Sequence, residues 1–270
     1  MGQQKERLEK FLKAHPICCF CGGGTPATTR DHIPPSSIFS NHKWPVGYEF
    51  PACELCNNGS SRDDAVIALF SRFFPGEERA ETDRIEWIKY LRAFNEHYPG
   101  EARKALLTSN EKRRFLEHHK ISKPDGTAYG ELPIVKFPPV ARDSIARFSR
   151  KMVLAFHYKH SGLIAPADAW IKTRFWTNLH RVTNAIPQEL FNLVPRDVEL
   201  RRDNISLGDQ FSYKFDVSTD GKIGAYMAAF RRTFIVGGLL CFDSSLMEDV
   251  EEGDIDDALE EVSGSDQLVL

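Results

Sequence analysis

Residues 16–35 read PICCFCGGGTPATTRDHIPP, and residues 51–58 read PACELCNN. Two Cys-x-x-Cys pairs, Cys18 with Cys21 and Cys53 with Cys56, bracket the dipeptide Asp31-His32, and Asn57 follows the second pair directly. Four thiolates in two such pairs close a tetrahedral site with no open coordination position, which predicts a structural zinc, Zn2+. Cys19 could replace Cys18 only with a single residue between the ligands, a poorer bite. Residues 17–57 are rich in Gly, Pro, Asn and Cys and show neither a helical nor a strand period. The reading therefore expects the metal, rather than a packed core, to hold this segment; structural zinc is worth on the order of ~10 kcal/mol.

Outward from this segment the pattern becomes regular. Before it, residues 3–14 form an amphipathic helix with Leu8, Phe11 and Leu12 on one face, ended by Pro16. After it, Val66, Leu69, Phe70 and Phe73 share a helical face, as do Ile85, Ile88, Leu91 and Phe94 up to the Pro99-Gly100 stop. Another helix is expected from about Glu101 to Lys120. Pro124 to Pro139 is a linker or an ordered loop. Ile145, Phe148, Met152, Ala155 and Phe156 mark a further helix, and Pro166 is expected to open one more through Trp170 and Phe175.

The period then changes to two. Phe211, Tyr213, Phe215 and Val217 alternate with polar residues, Ser218-Thr219-Asp220-Gly221 is a turn, Ile223–Met227 alternates again, and Thr233–Phe242 reads as a buried strand. The expected class is α+β, with an antiparallel sheet of about three strands. The expected organisation is a zinc-stapled module over 1–75, a helical and β recognition region over 76–242, and an acidic tail over 243–270.

Composition bounds the partners. The 270 residues carry a net charge of −3. Residues 243–270 hold eleven acids and no Lys or Arg, so the preceding 242 residues carry +8 against −11 in the tail. A mildly basic body fits a nucleic-acid partner, and scattered solvated charge explains it equally well. The tail is expected to be disordered, either as a solubiliser or as a tethered competitor for the basic surface. The N-terminus is polar, and the longest apolar run, Phe234–Phe242, is too short for a bilayer, so no membrane partner and a cytoplasmic location are expected. Lone Cys241 reads as a buried small hydrophobe.

Asp31-His32 sits where two prolines, Pro34 and Pro35, force the chain out of any central strand. Adjacent strand residues point to opposite faces, so one could hold a metal while the other faces a substrate. A plain turn-capping pair explains them as well. Asn57 is fixed in place by the zinc beside it. Its side-chain oxygen suits a hard divalent cation, although Asn58-Gly59-Ser60-Ser61 also supports an ordinary turn or cap.

In their order, Cys18, Cys21, Asp31, His32, Pro35, Cys53, Cys56 and Asn57 resemble the HNH nuclease family with its ββα-metal site, most closely the zinc-stapled branch that includes phage junction-resolving endonucleases. The resemblance covers about residues 16–70. It implies an endonuclease that hydrolyses phosphodiester bonds in nucleic acid, DNA in preference to RNA, in defence or a mobile element. It implies one catalytic Mg2+ or Mn2+ held by Asp31 and Asn57, with His32 as the general base. Arg62 stands near the family's Lys position, here Ser60, as a candidate phosphate contact, and Asp63 or Asp64 could supply a ligand in place of Asn57. The other reading is a nucleic-acid or protein-binding module with an inactive site. A protein partner or a homodimer is compatible with either.

His97, His118, His119, His157, His160 and His180 are scattered without ligand spacing. Basic residues from Arg147 to Arg232, among them Lys151 and Arg202, interleave with aromatics. These aromatics are expected to build a helical core in preference to a nucleic-acid surface.

Overall fold

The computed structural model describes residues 2–73, 81–123, 125–132, 134–247 and 267–269. It is α+β. Helix α1 (Gly2–Ala14) leads into a hairpin of β1 (Thr29–His32) and β2 (Glu49–Ala52), paired antiparallel with Asp31 opposite Phe50 and His32 opposite Glu49. The short α2 (Glu54–Asn58) and then α3 (Ser61–Phe70) follow directly. This ββα order places both cysteine pairs at one end of the hairpin.

Helices α4 (Glu81–His97), α5 (Glu101–Lys104) and α6 (Ser109–His118) come next. One helix was expected from Glu101 to Lys120, but the chain breaks at Ala105–Thr108. Thr108 accepts from the Glu111 backbone N–H while the Glu111 carboxylate takes the Thr108 N–H, a capping box that starts α6 afresh. The proline-rich stretch contains a strand, β3 (Ile134–Lys136).

Helix α7 (Pro139–Ser161) is the spine of the molecule. Proline occupies its first turn and Gly162 closes it at φ 74°. Its buried face, Ala141, Ile145, Phe148, Met152, Ala155 and Phe156, follows the helical period and lies on a five-stranded sheet. The approach is close, for a Cβ on Gly238 would fall 2.2 Å from the Val153 side chain.

The sheet corrects two expectations. It contains β4 (Trp170–Thr177), β5 (Arg196–Val198), β8 (Phe211–Val217), β9 (Ile223–Phe230) and β10 (Phe234–Cys241), in the order β4-β10-β9-β8-β5, not three strands. And Trp170 to Phe175, expected in a helix after Pro166, is a strand. The apolar β10 needs a ladder on both sides, and the β-branched and aromatic β4 supplies the second, from Trp170 opposite Cys241 to Thr177 opposite Phe234. Trp170, Phe175 and Trp176 are therefore sheet residues, whereas Phe148 and Phe156 are helical core. Between β4 and β8 lie α8 (Asn178–Val182), α9 (Glu189–Asn192) and the small hairpin β6 (Arg201–Arg202) with β7 (Ile205–Ser206).

The cysteine-rich segment is not held by a metal alone, as its composition suggested. Ile33, Ile38, Phe39, Tyr48 and Phe50 belong to the same hydrophobic cluster as Phe148, Phe156, Phe211 and Tyr226. The first two expected regions share this core. Aperiodic loops show no pattern because their apolar residues pack against distant elements rather than along one face.

Of the acidic tail, 243–270, residues 248–266 and 270 lie outside the described residues, while Ser244–Met247 form a short 3-10 turn capped by Asp243 and so are not disordered as expected. Its end, β11 (Gln267–Val269), pairs antiparallel with β3. No helix among the described residues is long and apolar enough to cross a membrane.

Candidate metal centre

The four thiols meet. Cys18 and Cys21 come from the knuckle between α1 and β1; Cys53 precedes α2 and Cys56 lies within it. Their Sγ atoms all lie within 4.8 Å of one another, with Cys21 at 3.6 Å from both Cys53 and Cys56. Zn–S bonds of ~2.3 Å in a tetrahedron place sulfurs ~3.8 Å apart, so the cluster has the dimensions of a structural zinc. The Phe20 N–H donates to Cys18 Sγ at 3.4 Å. Gly22 stands at φ +71°, and a Cβ there would meet Ala167 N at 2.5 Å, so the knuckle packs tightly on the loop before β4.

The electrostatics agree. Burial and the neighbouring Cys18 push the Cys21 thiol up to about 11, and burial together with Cys53 and Cys21 raises Cys56. Burial opposes ionisation at Cys53 too, but the Cys56 backbone N–H and the surrounding thiols outweigh it and bring Cys53 down to about 7. Thiols crowded this closely resist ionising together unless a dication joins them. Cys19 is not among the four converging thiols; it is 1% exposed within the hydrophobic cluster, where burial raises its pKa.

Asp31 points inward, 5% exposed. One carboxylate oxygen accepts the His32 backbone N–H at 2.8 Å, and the other bonds the ammonium of Lys151 from α7. The same ammonium donates to the Cys56 carbonyl at 2.8 Å and to Ser60 Oγ at 2.7 Å. Asn57 reaches back to β1: its Nδ2 donates to Thr29 Oγ1 at 3.1 Å and to the Arg30 carbonyl at 3.4 Å. This anchors the amide by its nitrogen.

Of the two alternative carboxylates, Asp63 is taken by Arg147 in a two-pronged pair at 2.6 and 3.0 Å. Asp64 has a buried Oδ1 with no hydrogen-bond partner among the described residues. Burial, and then the charge of Asp31, pushes its carboxyl up to about 7. Arg62 is exposed on the first turn of α3.

His32 lies on the other face of the hairpin. Its Nε2 is buried, 3.4 Å from Glu49 Oε1, and makes no hydrogen bond among the described residues. Arg30 pairs with Glu49 at 3.0 Å. The Trp44 and His32 rings meet edge to face with their centroids 4.8 Å apart, and the Arg202 guanidinium covers Trp44 at 4.8 Å while donating to its carbonyl at 3.0 Å. This face thus gathers His32, Glu49, Arg30, Trp44 and Arg202.

The sequence reading missed Glu49, Trp44 and Lys151 as site residues. Strand pairing could have suggested Glu49, which stands directly opposite His32. Nothing local marks Lys151, which arrives from a helix 120 positions away. The chain matches no protein family, no curated protein and no solved structure.

Proposed function

We propose that this protein is a metal-dependent HNH-type endonuclease that hydrolyses phosphodiester bonds in nucleic acid, with DNA as the preferred substrate. One observation carries the reading. A β-hairpin followed by a helix, clasped by four convergent thiols, holds Asp31 inward and His32 outward at the same strand end.

His32 is the general base. Its imidazole is the group that would take a proton from the attacking water, with the buried Nε2 facing Glu49 Oε1 at 3.4 Å. Glu49, opposite in the ladder, stabilises the imidazolium that forms. Arg30 and Arg202 lie on the same face as His32 and would hold phosphate oxygens, with Trp44 between His32 and Arg202. A divalent Mg2+ or Mn2+ would be held by Asp31 and the side-chain oxygen of Asn57. When bound, it supplies charge stabilisation at the scissile phosphate.

The Lys151 bond to Asp31 favours a second reading, a zinc-stapled binding module with an inactive site. The deciding experiment incubates purified, zinc-loaded protein with supercoiled, linear and branched DNA and with RNA, in Mg2+ or Mn2+. The nuclease reading expects cleavage, and its loss by ~10²–10⁴-fold in His32→Ala with zinc and fold retained. Binding without cleavage of any substrate establishes the inactive module instead.

A further inference from the structure

All three donors of the Lys151 ammonium are directed at oxygen: the Asp31 carboxylate, the Cys56 carbonyl and Ser60 Oγ. A carboxylate, a backbone carbonyl and a hydroxyl are also the ligand types a hard divalent cation takes. The side chain is only 11% exposed. The unpartnered, buried Oδ1 of Asp64 adds a second carboxylate that senses both Asp31 and Lys151.

We propose that Lys151 is the resident cation of this oxygen-lined position, and that a divalent ion reaches Asp31 only by displacing the Lys151 ammonium. The inference rests on the reading of Asp31 as a ligand. It assigns to α7 a role in setting how tightly the site takes its ion. A dication and an ammonium cannot share one carboxylate oxygen, and at short range in a mostly buried site their mutual repulsion is large. The lysine keeps Asp31 paired while no dication is there, when a lone buried carboxylate would be strongly destabilising.

The test is Mn2+ binding, measured by calorimetry and by electron paramagnetic resonance on zinc-loaded full-length protein. Lys151→Met should bind Mn2+ roughly tenfold tighter or more than wild type. Its lowered melting temperature should recover on adding Mn2+. Lys151→Arg, which keeps the charge, should bind no tighter than wild type, and Asp31→Asn should abolish binding.

A second measurement avoids any folding defect. In wild type, Mn2+ should increase acylation of Lys151 by an amine-reactive ester, read by mass spectrometry. Equal Mn2+ affinity in wild type and Lys151→Met, or unchanged labelling of Lys151 while Mn2+ is bound, overturns the competition and leaves the metal-site reading standing. Failure of both proteins to bind Mn2+ overturns both.

Discussion

The phenol oxygens of Tyr48 and Tyr213 lie 2.9 Å apart in a buried hydrogen bond. Tyr48 belongs to the loop that closes the hairpin, and Tyr213 to β8. His160 Nε2 sits 2.8 Å from the Tyr213 hydroxyl, and Phe156 stacks on the Tyr213 ring. The cysteine-rich segment is thereby keyed to α7 and to the sheet, the same helix that brings Lys151 to Asp31.

This bond should be measurable. A double-mutant cycle of Tyr48→Phe and Tyr213→Phe, followed by urea unfolding, should show a coupling of about 1 kcal/mol. Strictly additive losses would mean that the two hydroxyls stabilise the fold independently.

Metal analysis should find about one zinc per chain, consistent with the four-thiol cluster. Cys53→Ser should lose the zinc and loosen the hairpin. Cys241→Ser should keep it, and Cys19→Ser should keep it at reduced stability, since its thiol is packed in the core. Loss of zinc in Cys19→Ser with Cys18 intact would reassign the ligand.

If Arg202 and Arg30 hold phosphate, Arg202→Ala should weaken nucleic-acid binding and lower the slope of log affinity against log salt by about 1. Arg113→Ala is the control, because Arg113 pairs with Glu117 on its own helix. Identical salt slopes for Arg202→Ala and wild type would remove Arg202 from phosphate binding.

Acid should unfold this protein early. Burial holds the imidazoles of His157, His160 and His180 down, each to about 4, with Lys159 and Arg196 adding to the effect at His160 and Arg174 at His180. Below the ordinary histidine value of ~6.5 the unfolded chain takes up protons that the folded chain refuses. The stability these residues contribute is complete above that value and is lost as pH falls towards about 4. The urea midpoint should drop through this window, and His157→Gln should flatten the drop. A midpoint that stays level across it would contradict the buried, neutral histidines.

The sequence by itself determined the metal cluster, because Cys-x-x-Cys spacing is a local property that places two thiols on one turn wherever it occurs. It also determined α7 and the β8–β9–β10 run, whose periods of 3.6 and 2 are written along single elements. It placed Asp31 and His32 on opposite faces only as a consequence of strand alternation, once a strand was assumed; the fold decided that Asp31 is the inward one. Tertiary structure decided the rest. Trp170–Thr177 became a strand because β10 required a second ladder, which no local preference around Pro166 foretells. The aperiodic segment 17–57 acquired a core because Tyr48 packs on Phe156 and Tyr213, more than a hundred residues away, and Ile33, Phe39 and Phe50 join the same cluster. And the cation beside Asp31 came from Lys151, because helix packing, which sequence spacing does not record, sets an ammonium among three oxygens.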